Sequence, residues 1–135
     1  MSYAAYRARQ AATESPLELE LRAFGFVTDG LRSANDMLTR TRALQKNHDL
    51  WLTLVVDLAE PTNALPQEVR ARLISVGLWS MRYSLQAMSD PLPLQPLIDV
   101  NREIAGGLAD QARARVATVA PPTPPGAPTP TATAV

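Results

Sequence analysis

The chain is 135 residues long, with 13 basic and 13 acidic side chains, one histidine and no cysteine. That length suits a single domain, and the lack of cysteine excludes a disulfide framework, a thiolate metal site and a cysteine nucleophile. Balanced charge removes the usual electrostatic case for non-specific binding to nucleic acid or to a membrane surface.

Helical periodicity runs through the chain. Tyr3 and Tyr6, one turn apart, suggest a short opening helix. A longer helix is expected from Pro16, with Ser15 as N-cap and Glu18 closing a capping box. Its apolar stripe is Leu17, Leu21, Phe24, Leu31 and Leu38, interrupted by Gly25 and Gly30, where a neighbour approaches closely or the helix bends. A second helix is expected over residues 41–59, ending before Glu60-Pro61-Thr62-Asn63, and its second half is apolar almost all round. The third, over residues 66–88, carries Val69, Leu73, Val76 and Tyr83 on one side and Ile74, Leu78, Met81, Leu85 and Met88 on the other. Pro91, Pro93 and Pro96 end it. A last helix from about Gln95 presents Leu97, Ile98, Ile104 and Leu108 and frays over residues 113–116.

No alternation typical of strands emerges, so the expected fold is all-α: one small bundle of four to five helices over residues 1–115. All 26 charged side chains lie at or before Arg115. Residues 116–135 hold six prolines and five threonines and are expected to form a disordered Pro/Thr/Ala-rich tail. The first fifteen residues lack the apolar core of a secretory signal. The most apolar run, residues 50–59, is about half the length a bilayer requires. A cytoplasmic location is the expectation.

Chemistry-bearing constellations are scarce. His48 is the only histidine, and no Glu-x-x-His pattern accompanies the carboxylates Asp57/Glu60 and Asp99/Glu103. Gly106-Gly107 follows no strand, so it is not a phosphate loop. No catalytic, cofactor or metal site is expected, and the protein reads as no enzyme. Twelve of the thirteen basic residues are arginine, eight of them in four Arg-x-Arg pairs that include Arg40/Arg42 and Arg70/Arg72. Residues two apart on a helix diverge by about 200°, so such pairs make no patch by themselves. The broad apolar faces of the second and third helices are the stronger signal, pointing to a groove for a partner helix or a face for a second copy.

The motifs themselves have a family likeness. In order, they are Tyr6; Pro16 with Glu18 and Glu20; Phe24-Gly25 and Val27-Thr28; Asn47 with Leu50-Trp51; Asp57-Leu58; and Asn63-Ala64-Leu65-Pro66. Then come the stretch from Arg70 to Trp79, that from Pro96 to Arg102, and Gly107-Leu108. In this order and spacing the chain resembles the flagellar biosynthesis regulator FlaF family of alphaproteobacteria, over about residues 3–110. The resemblance implies a small cytoplasmic, non-enzymatic protein of flagellum assembly that acts with flagellin, in its synthesis or export, and opposite the regulator FlbT. A flagellin-binding export chaperone is the most concrete mechanism it implies, because unpolymerised flagellin termini are amphipathic helices prone to aggregate.

On that reading Trp51, Leu54, Leu58, Trp79 and Tyr83 are the expected partner-facing residues, and Asn47, Asn63 and Asn101 are local caps or loop ligands. The alternative is a post-transcriptional regulator touching flagellin mRNA or FlbT, which would use Arg70 and Arg72. A third is a homo-oligomeric scaffold, the oligomeric state being open.

Overall fold

The computed structural model describes residues 16–118, with four helices in chain order: α1 (Pro16–Ser33), α2 (Met37–Ala59), α3 (Gln67–Ser89) and α4 (Gln95–Thr118). The expected N-terminal helix about Tyr3 and Tyr6, and the Ser15 cap, lie outside the described residues, as does the tail from residue 119. The fourth helix continues to Thr118, three residues past the expected domain boundary at 115.

Links of three, seven and five residues (34–36, 60–66 and 90–94) fold consecutive helices back on one another, as short connections between helices must. The closest pairings are α2 with α3 and α1 with α4, and the thinnest is α3 with α4.

The first apolar stripe does not run on to Leu38. Helix α1 stops at Ser33, and Leu38 belongs to α2, where it is exposed. The cause is a capping box. Thr39 N–H donates to Asp36 Oδ1 at 2.7 Å, and Asp36 N–H donates to Thr39 Oγ1 at 3.2 Å. These bonds satisfy orphan donors at a new helix start, so the chain turns here instead of continuing. The two glycines in α1 behave differently: a Cβ on Gly25 would meet nothing, whereas one on Gly30 would touch Ala43 at 3.9 Å.

Core packing concentrates at the end of the bundle where α1 and α3 finish and α2 and α4 begin. Leu31, Ala43, Leu44, Ala87, Leu97 and Ile98 form one buried cluster there. Phe24 adds an edge-on contact to Trp51, with ring centroids 5.5 Å apart.

Two arginines tie the α2–α3 hairpin at both ends. Arg40, near the start of α2, donates to the carbonyls of Ala87, Asp90 and Leu92 at the end of α3. Arg70, near the start of α3, donates to the carbonyls of Leu58 and Glu60 at the end of α2. Each guanidinium reaches carbonyls in and just beyond the last turn of a helix, Ala87 and Leu58 among them, and places a cation at the negative end of the helix dipole.

Midway along the bundle the core is polar. Asn47 Nδ2 donates to Ser80 Oγ (3.1 Å) and Ser84 Oγ (2.9 Å), and Asn47 Oδ1 accepts from Asn101 Nδ2 (2.8 Å). Asn101 Oδ1 accepts from Trp51 Nε1 (2.9 Å), and Ser84 Oγ donates to the Ser80 carbonyl (2.7 Å). All five side chains are fully buried. Asn47 and Asn101 are therefore not local caps, as their type had suggested, but the centre of a network joining α2, α3 and α4. Only Asn63 serves a loop: its Nδ2 donates to the Asp57 carbonyl and its Oδ1 accepts from Leu65 N–H. Because the bonds are directional, sliding α2 or α4 by a turn would orphan buried amides, so the network holds the helices in one axial position.

Candidate interaction surface

The five residues expected to face a partner do not form one surface. Trp51 is 0% exposed, fixed by its bond to Asn101, and Leu58 is 1% exposed. Both are core residues, and a partner cannot reach them without opening the bundle. Leu54 is half-buried. Trp79 and Tyr83 are half-buried as well and pack against the main core cluster, with their rings 5.3 Å apart. The Tyr83 hydroxyl donates to the Pro93 carbonyl at 2.6 Å, which ties the pair to the α3–α4 link.

Other apolar side chains of the same two helices are exposed, as are Phe26 on α1 and Met37 and Leu38 at the start of α2. On α2, Leu52 and Val56 are 42% and 54% exposed; on α3, Leu78 and Leu85 are 43% and 51% exposed. At 100° per residue, Leu52 and Val56 sit about 100–160° around α2 from Trp51 and Leu58. Leu78 and Leu85 fall on the i, i+4, i+7, i+11 stripe begun by Ile74 and Met81, which are half-buried. The two helices adjoin closely here. A Cβ on Gly77 would lie 2.5 Å from Val55 Cγ2 and 2.9 Å from Trp51 Cε3, so only glycine lets the backbones come this near. Leu52 lies one turn from Val55, and Ile74 and Met81 lie one turn either side of Gly77. The apolar side chains thus flank one seam. From Ile74 to Leu85 the α3 stripe rises about 17 Å, roughly three turns of helix.

The polar groups offer less. His48 is half-buried, with Nδ1 3.4 Å from the Oδ1 of its neighbour Asp49. Among the described residues no three His, Asp or Glu side chains gather where they could hold a metal ion. An open groove of about 470 Å³ between α1 and α2 is lined by Phe26, Arg42 and Lys46 among others, and Lys46 Nζ lies 4.9 Å above the Phe26 ring. Arg70, one of the two arginines expected to meet RNA, is engaged with the end of α2, while Arg72 is exposed. Asp110 and Arg113 pair one turn apart on α4.

The family model described as flagellar protein FlaF matches residues 2–108. The chain belongs to the FlaF family. The match takes in all of α1, α2 and α3 and most of α4, and it stops before the Pro/Thr/Ala-rich tail. No curated protein and no solved structure matches the chain. As a FlaF-family member this is a flagellar protein, and among its described residues no helix is long and apolar enough to cross a membrane.

Of the five expected residues, Trp51 and Leu58 are core, and the most exposed apolar side chains of α2 and α3 are others. Leu78 and Leu85 were visible as a second stripe on the third helix, yet Leu52 and Val56 were hidden in a run that is apolar on every side. The usable signal was phase. Leu44, Asn47, Trp51, Leu54 and Leu58 share one stripe at i, i+3, i+7, i+10, i+14, which leaves Leu52 and Val56 on the opposite side.

Proposed function

We infer that this FlaF-family protein is a non-catalytic, cytoplasmic binding protein of flagellum assembly that holds an amphipathic terminal helix of flagellin before export. The observation that supports this reading is the apolar seam of α2 and α3, where Leu52, Val56, Leu78 and Leu85 stay exposed beside half-buried Ile74 and Met81. Four large aliphatic side chains in water on one seam of so small a domain are a cost unless something covers them, and a helix-in-groove partner presents i, i+3, i+4 and i+7 anchors to such a face. Covering flagellin's apolar helix in this way would keep it from polymerising prematurely.

Co-purification with the cognate flagellin tests the reading. The wild-type protein retains flagellin, and does so at raised salt, because apolar burial is not screened. The double variant Leu78→Ser/Leu85→Ser keeps its helicity and loses about 1–3 kcal/mol of stability, since both side chains are about half exposed, but it stays folded and loses flagellin. Retention by that variant at the wild-type level would remove the seam as the binding surface.

A further inference from the structure

The open groove of about 470 Å³ between α1 and α2 lies apart from the Leu78/Leu85 stripe. Its floor is Val27 and Ala43, both buried, and half-buried Gly30. Each wall is a helical stripe at i, i+3, i+7: Phe26, Asp29 and Ser33 on α1, and Thr39, Arg42 and Lys46 on α2. All six are exposed, Phe26 at 65%. A three-residue link folds the two helices back on each other, so the walls are matched height by height. Lys46 Nζ lies 4.9 Å over the Phe26 ring, and a Cβ on Gly30 would touch Ala43. Asp29 therefore stands between the heights of Arg42 and Lys46, and Ser33 stands at the height of Thr39. Among the described residues, Asp29, Arg42 and Lys46 form no ion pair within the chain.

We propose that a second copy of this chain covers the groove, face to face about a two-fold axis that runs along it. Such an axis lays the α1 wall of each copy against the α2 wall of the other at the same height. Phe26 then meets Lys46, Asp29 meets Arg42 and Lys46, and Ser33 meets Thr39, each contact made twice, as an isologous interface requires. The pairings are an aromatic ring with an ammonium, a carboxylate with two cations, and a hydroxyl with a hydroxyl. A two-fold axis across the groove would instead set Arg42 and Lys46 against the same two cations, which like-charge repulsion disfavours. The arrangement of charge selects the occupant. A uniformly acidic partner meets Asp29 and a uniformly basic one meets Arg42 and Lys46, whereas this face is complementary to itself. It is about two helices wide, roughly 20 Å, and its stripes rise only about 11 Å. That falls short of the about 800 Å² per partner of a standard interface, so the dimer is weak, with a dissociation constant on the order of 100 µM. It leaves the Leu78/Leu85 stripe of α3 open to a partner.

Sedimentation of the full chain tests this without any flagellin present, so the outcome is independent of the reading above. The wild type is expected to pass from monomer to dimer between about 10 µM and 1 mM. Reversing one wall with Asp29→Lys, or the other with Arg42→Glu/Lys46→Glu, should weaken self-association about tenfold or more while circular dichroism shows the helicity kept. Mixed in equal amounts, the two variants should form a mixed dimer, because both walls of the first are then positive and both walls of the second negative. Leu78→Ser/Leu85→Ser should dimerise as the wild type does. A wild type that stays monomeric up to about 1 mM, variants that mix without associating, or a dimer lost in Leu78→Ser/Leu85→Ser would each overturn the proposal.

Discussion

Replacing Asn101 by alanine probes the polar centre of the bundle with least ambiguity. The change removes the acceptor of Trp51 Nε1 and the donor to Asn47 Oδ1, both fully buried. A buried polar group left without a partner costs about 1–3 kcal/mol, so two of them cost about 2–6, and the small void adds to this. A loss of about 3–4 kcal/mol is expected, a large share of the roughly 5–15 kcal/mol that a domain of this size possesses. Its thermal counterpart is a fall in Tm of about 12–32 °C, at about 4–8 °C for each kcal/mol.

The alternative explanation for such a loss is plain volume, and a second substitution separates the two. In Asn47→Ala/Asn101→Ala the orphaned Asn47 carbonyl oxygen is gone, and Ser84 still donates to the Ser80 carbonyl. The double variant should therefore lose less than the sum of the two single variants, with a coupling of about 1–3 kcal/mol, as expected for residues in direct hydrogen-bond contact. Urea unfolding followed by far-UV circular dichroism and tryptophan fluorescence measures all four species at constant m. An Asn101→Ala cost below about 1 kcal/mol, or single effects that add to within about 0.5, would refute the network as a source of stability.

Gly77→Ala and Gly107→Ala should have opposite signs in thermal melts. The first forces a methyl against Val55 and a Trp51 ring that its bond to Asn101 holds in place, a net loss of about 1–2 kcal/mol after the helix-propensity gain; the second meets nothing within 4 Å and gains about 0.5–1. Arg70→Ala removes the bonds to the Leu58 and Glu60 carbonyls and should cost about 1–3 kcal/mol in denaturant, whereas the exposed neighbour Arg72→Ala should stay within about 0.5; equal effects would deny Arg70 its role at the end of α2. Bonding by the Thr39 backbone N–H, and next by its hydroxyl, holds the Asp36 carboxyl below the usual aspartate value. A lowered folded value means that its contribution is complete above the unfolded value and fades as the pH falls through the folded one. Stability should accordingly drop more steeply under acid in the wild type than in Asp36→Asn, and parallel acid profiles would contradict the capping box.

Much of the architecture was legible because helix-forming signals are local. Pro91, Pro93 and Pro96 forced a break, Pro61 and Pro66 forced another, and 3.6-residue periodicity supplied the rest. Leu38 falls in phase with the stripe ending at Leu31, so periodicity alone runs through residues 34–36, where Asp36 and Thr39 create a turn by hydrogen bonding. The candidate surface was harder to read for a different reason. Hydrophobicity tells which residues avoid water but not which of two apolar faces finds a neighbour first, and in residues 50–58 both faces are apolar. Asn47 and Asn101 carry the discriminating information. Each sits on an apolar stripe, between Leu44 and Trp51 in one helix and between Leu97 and Ile104 in the other. An amide on such a stripe is tolerable only with buried partners, so two of them point at each other across a core. That pairing fixes which side of α2 is inside, and with it places Trp51 in the core and leaves Leu52 and Val56 in water. The polar residues, set aside as caps, hold the key to which apolar residues are free to meet a partner.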